Sequence, residues 1–395
     1  MRRAALSLLA VAALAACNDP AGLPTTPQAT PRVVAIATSF AQACALTDDS
    51  AVWCWDPAGF FGDTSSVPVR KAMPEALVTL KGAPGAVYDA FCGQTAAGTA
   101  WCWGKLIESD VAFYIGDGET PMSFGTFQPG TLALGEGHAC ALAADSTAAC
   151  WGSYISGKRG IPGPWPENNS GLAVYQDLNV RPVTGGERFV ALTAGAEHTC
   201  GARPDGTLAC WGDSAAVAAV LPRFSHGNDA CFLVVACSAD PLLVQRLNGV
   251  VAASAGDGQT CAIASNGLYC WGYNYFGQAG GPGSADVASP VPLALGGTAV
   301  AVSAGASHSC ALTVGGAAWC WGDNEFGQLG SGQASAGGHP PVRVAFKGEF
   351  EQVSAGGFYT CGLSTEGRVY CWGAHTGPSG WEPQPEVREV VIPRS

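Results

Sequence analysis

Thiols are the first chemistry this sequence offers. Of its seventeen cysteines, fourteen fall into pairs nine or ten positions apart. The pairs are Cys44 with Cys54, Cys92 with Cys102, Cys140 with Cys150, Cys200 with Cys210, Cys261 with Cys270, Cys310 with Cys320 and Cys361 with Cys371. Two thiols so spaced can hold a metal, run a redox couple or close a staple. A structural zinc site shows C-x2-4-C knuckles, and the chain has no CxxC. A redox couple is normally one pair near a helix start, not seven equivalent ones. A staple needs only a hairpin and an oxidising compartment. Cys231 and Cys237 stand outside the pattern as a further pair, and Cys17 is left over.

Other reactive groups give less. His138, His198 and His308 share one position, two before the first cysteine of a pair, but Gln42, Ala90, Gln259 and Tyr359 fill it elsewhere. Glutamine and tyrosine can replace a hydrogen bond but not a metal ligand set, so a repeat-specific hydrogen bond is expected there and no metal. Gly152-x4-Gly157-Lys158 approaches a phosphate loop, yet Arg159 stands where serine or threonine must hold magnesium. The dipeptide Lys158-Arg159 reads as a solvated pair. No GxSxG elbow or HExxH occurs, and no two acids pair as a general acid and base. The expectation is no catalytic residue, no cofactor and no enzyme.

The elements that carry the cysteines repeat with them. First cysteines recur every 48 to 61 residues, and every second cysteine is followed by tryptophan, from Trp55 to Trp372. In CGARPDGTLAC (200–210), Asp205-Gly206 signals a turn. A three-residue loop ending on a left-handed Gly206 pairs Arg203 with Thr207 and sets Cys200 opposite Cys210, within disulfide reach. Gly98, Gly316 and Gly367 fit the same position, with Ser50 and Ser146 substituting. The unit at Cys261 is one residue shorter, so its cysteines are expected one step out of register. Strand alternation puts Cys320 on one sheet face and Trp319 and Trp321 on the other, with the tryptophans packing unit against unit.

A second strand signal precedes each pair, as in VAVSAGASHSC (300–310), and a proline-led apolar strand lies further upstream, as at Pro341-Val342-Arg343-Val344. Four short strands per unit and seven units give an all-β fold, a seven-bladed β-propeller. WGDNEFGQLG (321–330) and WGYNYFGQAG (271–280), each after a cysteine hairpin, resemble the regulator of chromosome condensation repeat family. The other units keep the tryptophan and lose most of that tail. The resemblance covers residues 32–395 and implies a seven-bladed ring. VVAIATSFAQAC (33–44) lacks an outer strand and PEVREVVIP (385–393) lacks a hairpin, so the two terminal strands are expected to share one blade.

The first residues read as an address. MRR is followed by thirteen apolar residues to Ala16, about 20 Å of helix, too short for a bilayer core of about 30 Å. Residues 1–16 therefore read as a signal peptide. Leu14-Ala15-Ala16-Cys17 resembles a bacterial lipobox, which implies lipidation of Cys17. Residues 17–31 are rich in Pro, Thr and Ala and read as a tether. The expected protein sits outside the cytoplasm, at the outer membrane or the periplasmic or cell surface, held by lipid, and monomeric. Export leaves the remaining sixteen cysteines free to pair.

Net charge is −12 with no basic stripe, a poor match to nucleic acid. Two units are longer than the rest, through insertions near 153–180 and 213–240. The first carries Trp165 and Tyr175, the second Phe224, Phe232, Leu233 and the pair Cys231 and Cys237. Loops on a rigid frame are where binding residues concentrate, so these are the candidate contacts for a protein partner in the cell envelope. Two other readings stand beside the scaffold. Trp165 and Trp381 lie outside the hairpin pattern and could stack on sugars in a glycan-binding or hydrolytic protein. The family's namesake implies guanine-nucleotide exchange, which export disfavours.

Overall fold

The computed structural model describes residues 31–57, 67–84, 89–104, 120–153, 157–161, 176–213, 237–281, 283–377 and 380–393. The expected signal peptide, Cys17 and the tether through residue 30 lie outside the described residues. Seven four-stranded antiparallel sheets are present. In chain order they span residues 33–71, 81–126, 133–182, 191–243, 252–293, 299–343 and 350–390, here blades 1 to 7. Each blade is hydrogen-bonded in the order first to fourth strand. First strands of successive blades touch all the way round, blade 7 meeting blade 1, so they surround the axis and the fourth strands form the rim.

The hairpin between second and third strands follows from its turn. In blade 4, Arg203 N donates to Thr207 O and Gly206 N to Arg203 O, with Gly206 at φ 80°. Six blades share this three-residue loop, and Ser50 and Ser146 take the left-handed position at φ 63° and 71°. The cysteines of each hairpin then face directly. Cys44 stands opposite Cys54 in blade 1, Cys92 opposite Cys102 in blade 2, and Cys140 opposite Cys150 in blade 3. Cys200 faces Cys210, Cys310 faces Cys320 and Cys361 faces Cys371 in blades 4, 6 and 7. Each pair is disulfide-bonded, with Cα atoms 4.0–4.1 Å apart. Cys54 alone among these fourteen is only partly buried; Cys102 and the rest lie inside the frame. The expected slip in blade 5 does not occur. Cys261 faces Cys270, because a two-residue turn, Ser265-Asn266, absorbs the missing residue beyond the Ala264–Gly267 pair.

The expectation of a shared terminal blade is also corrected. Residues 33–38 begin blade 1, whose own fourth strand is Val69–Lys71, and Gly380–Val390 is the fourth strand of blade 7. The proline-led strand closes the blade it follows rather than opening the next. Ring closure is made by contacts between blades 7 and 1 instead, including Gly357 N donating to Phe40 O at 3.1 Å. Ile36 N donates to Gln352 Oε1 at 2.9 Å, Thr38 Oγ1 and Ser354 Oγ lie 2.8 Å apart, and Arg32 pairs with Glu351 at 3.1 Å.

Blades meet through apolar clusters of one design. The disulfide of each blade packs with the tryptophan of the next: Cys310 and Cys320 with Trp372, Cys261 and Cys270 with Trp321, and Cys361 and Cys371 with Trp55 across the closure. Cys92 and Cys102 pack with Trp151 in the same way. A buried tryptophan removes on the order of 150–250 Å² from water, an upper estimate of roughly 4–6 kcal/mol each. These tryptophans are frame, not a ligand shelf.

Polar links run along the same interfaces. Thr193, Ser254 and Ser303 accept from the amides of Ala255, Ala304 and Ala355 on the next first strand, each at 2.9 Å. Where first strand turns into second, the amides of Glu136, Ala196, Asp257 and Ala306 donate to the carbonyls of Gly195, Gly256, Gly305 and Gly356 of the following blade. A Cβ on Gly135, Gly195, Gly256 or Gly305 would stand 2.2–2.4 Å from that neighbouring carbonyl. Only glycine lets this collar close.

Candidate binding face

Strand direction sorts the ring into two ends. One end holds the tight hairpins. The other holds the collar and the connections from third to fourth strands. Both insertions leave and re-enter at this loop end, since Ser153 pairs with Gln176 and Asp213 with Cys237. Trp165, Tyr175, Phe224, Phe232 and Leu233 lie outside the described residues, as does Cys231. Cys237 is disulfide-bonded and buried at the start of the fourth strand of blade 4.

The shared histidine position links blades. His138 Nε2 lies 2.7 Å from Thr199 Oγ1, His198 Nε2 2.7 Å from Thr260 Oγ1, and His308 Nε2 2.8 Å from Thr360 Oγ1. Gln259 does the same work through Gly305 O, and Tyr359 Oη donates to Gln42 O across the closure. Thr360 gives its proton to Gln328 O, so His308 must donate from Nε2, leaving Nδ1 without a partner. Burial holds His198 and His308 neutral, with pKa pushed down to about 3. No metal cluster occurs among the described residues.

Lys158 and Arg159 are not solvated. They are 0% and 3% exposed. Gly157 and Gly160 have φ of 72° and 70°, matching Gly277/Gly280 and Gly327/Gly330, and Gly160 N bonds Gly157 O as Gly280 bonds Gly277. Blade 3 therefore keeps the Gly-x-x-Gly tail, with lysine in the glutamine position. The backbone there does what it does in the other copies. Lys158 O accepts from Thr199, as Gln278 O accepts from Ser309. Lys158 Nζ reaches Ala196 O at 3.1 Å and Glu197 Oε1 at 3.3 Å. This cation is already engaged at a blade interface, which removes the phosphate-loop reading. The sequence hides this tail because lysine and arginine replace its two central residues.

What remains at the loop end is aromatic and acidic. Phe358 lies 5.3 Å from Phe40, 5.5 Å from Phe326 and 5.1 Å from Trp381, ring centre to ring centre. Trp381 is thus half-buried in a cluster spanning blades 6, 7 and 1. In blade 5, Tyr273 and Tyr275 are 38% and 60% exposed. Asp257, Asp286 and Glu325 lie at this end. Among the described residues, every exposed lysine or arginine sits at the level of the disulfides or nearer the hairpins: Arg181 and Arg388 stand opposite Cys150 and Cys371. Aromatic rings beside carboxylates are groups suited to recognition.

Known proteins agree with this frame. Residues 250–278, 299–328 and 350–376 match the family model of the regulator of chromosome condensation (RCC1) repeat, and a second model of that repeat matches 265–312. Blades 5 to 7 carry RCC1 repeats. The ultraviolet-B receptor UVR8 of Arabidopsis thaliana is 29% identical over 206 residues, 50% of this chain and 44% of UVR8. The human E3 ubiquitin-protein ligase HERC2 is 26% identical over 257 residues, 63% of this chain and 5% of HERC2. The chain thus spans less than half the length of these relatives. Among solved structures, Prp20p of Saccharomyces cerevisiae, studied for its binding to Gsp1p and histones, superposes with a TM-score of 0.67 at 21% identity. That match covers 85% of this chain and 84% of Prp20p. Human WBSCR16 superposes at 0.63 and 17% identity, covering 83% and 84%.

Proposed function

We propose that this chain is a non-catalytic protein-binding scaffold, exported and held at a membrane by lipid on Cys17, whose loop end receives the partner. The observation that carries the reading is the division of labour around the ring. Cysteines, tryptophans, histidines and the Gly-x-x-Gly tails are consumed in joining blades, while the connections that vary in length converge at one end. A rigid ring presenting variable loops suits recognition. A protein partner is also what Prp20p takes in Gsp1p and histones. Export supports the staples, since disulfides persist outside the cytosol, and the lipobox-like Leu14-Ala15-Ala16-Cys17 supports the anchor. Two measurements test it. Intact mass of the protein purified from membranes should show acylation at Cys17, and an unmodified Cys17 refutes the anchor. Affinity capture from envelope extract with the ring as bait should recover a saturable protein partner, and recovery of none refutes the scaffold.

A further inference from the structure

Blades 5 and 6 are an internal comparison, because their loop ends share one backbone. In both, the asparagine of the tail ties its loop: Asn274 Oδ1 accepts from Ala279 N and Asn324 Oδ1 from Leu329 N. In both, the glutamine accepts from the phenylalanine amide at 2.9 Å. They differ in where charge sits. Blade 6 has Asp323 in the tail, satisfied by Gln328 Nε2 at 2.9 Å, by Glu325 N and by Ser307 Oγ. Blade 5 has Tyr273 there, Gly258 in place of Ser307 and Tyr275 in place of Glu325.

The exchange strands two groups. Gln278 is fully buried and its Nε2 has no partner, having lost the carboxylate that serves Gln328. The acid reappears in the first-to-second connection as Asp257, where blade 6 has Ala306. Asp257 N donates to the collar at Gly305 O. Gly258, the residue after Asp257, borders Tyr273: Tyr273 N donates to Gly258 O at 2.9 Å, and the Tyr273 Cβ lies 2.9 Å from where a Cβ on Gly258 would stand. Burial alone pushes Asp257 up to about 6, and Tyr273 is raised first by burial, then by Asp286 and Asp257. A desolvated carboxylate with no cation beside it among the described residues costs folding energy, and a repeat that departs from its neighbour at such a cost marks a site. Tyr273 and Tyr275, both exposed, together with the carboxylate of Asp257 on the neighbouring connection suit a cation, which gains from both ring and charge.

We propose that Asp257, Tyr273 and Tyr275 at the loop end of blade 5 form the docking point for a lysine or arginine side chain of the protein partner. The absence of exposed cations from the described part of this end makes that part complementary to a basic segment. The proposal rests on reading the loop end as a protein-binding face.

The test uses the full chain and a short fluorescein-labelled lysine/arginine–glycine peptide, with anisotropy read at fixed ionic strength. Asp257→Asn and Tyr273→Ala should each weaken binding about fivefold or more, with thermal midpoints confirming folded protein. Glu325→Gln, an equal loss of charge on the same face, should change it less than about twofold. Wild-type affinity should fall between pH 7.5 and 5 as Asp257 takes its proton, and Asp257→Asn should lose that dependence. Equal binding by Asp257→Asn, an equal effect of Glu325→Gln, or a neutral oligosaccharide bound at Tyr273 without pH dependence overturns the proposal. An envelope partner whose binding ignores Asp257→Asn would overturn this site and leave the scaffold standing. Peptide binding through Asp257 with no envelope partner recovered would do the reverse.

Discussion

Acid should loosen this ring through two histidines, and the amount can be worked from their surroundings. His198 and His308 are 0% exposed, and each is hydrogen-bonded through Nε2 to a threonine of the next blade while Nδ1 has no partner. A second proton would place a charge in an apolar interface with nothing to receive it. Their pKa is about 3 in the folded ring and about 6.5 in the unfolded chain. The unfolded chain therefore binds more protons everywhere below pH 6.5. The stability these groups contribute is complete above that value and is lost progressively as pH falls toward 3. At pH 5 the loss is about 2 kcal/mol per histidine, about 4 for the two. For a ring of this size that is about 5 °C in thermal midpoint. Gln259 shows how to remove the effect, since it holds the equivalent position with an amide that does not titrate. The double variant His198→Gln/His308→Gln should match wild type within a few degrees at pH 7.5. It should exceed wild type by about 5 °C at pH 5, read by calorimetry of both proteins at both pH values. Asp257, with its raised pKa, shifts stability in the opposite direction, but equally in both proteins, so it cancels in the difference. A difference between the two proteins that is the same at pH 7.5 and pH 5 would refute the buried-neutral reading of these residues.

Gly256→Ala places a methyl group 2.4 Å from Gly305 O, and prying that collar contact open should cost about 1–3 kcal/mol in chemical denaturation; unchanged stability would show that the collar yields freely. Ser50→Gly relieves a left-handed residue at φ 63° and should raise the thermal midpoint, by about 0.5–1 kcal/mol in stability. A fall would mean the serine is held there by something stronger than the turn. Replacing Cys310 and Cys320 together by alanine opens a loop whose ends are 10 residues apart in sequence. It should cost about 3 kcal/mol by the chain-entropy relation, plus packing lost against Trp372. No loss on denaturant titration would mean that this staple contributes nothing.

The frame was legible because its signals are local. A left-handed residue, glycine or serine, three residues into a short loop fixes hairpin register, and register brings the cysteines opposite each other, Cys44 to Cys54 and Cys92 to Cys102 as much as Cys200 to Cys210. Phase was not legible. A strand that alternates with hairpins around a closed repeat can be assigned to the unit before or the unit after, and only the pairing of Val69–Lys71 with Val52–Trp55 decides. Blade 5 misled for the opposite reason: a deletion inside the turn costs the turn its bulge and leaves the pairing beyond it untouched. The tail of blade 3 was hidden because its work is done by backbone carbonyls, which lysine supplies as well as glutamine. Tyr273 could have been found by laying WGYNYFGQAG over WGDNEFGQLG, and Asp257 by laying VAASAGDGQTC over VAVSAGASHSC. The two tails differ where the first leaves a buried amide unanswered.

Because every blade is completed by its own contiguous strands, the ring has no privileged starting point. Val390 and Ile392 already pack in the cluster that contains Val33, so the two ends of the described ring are neighbours. A short peptide bridging them, with new ends cut in the link between blades 4 and 5 near Leu247, would leave every sheet intact and every interface still formed. Such circular permutants should fold. The same modularity lets a whole blade be gained or lost by one in-frame duplication or deletion, with the collar and the disulfide–tryptophan contacts as the joints that any newcomer must fit.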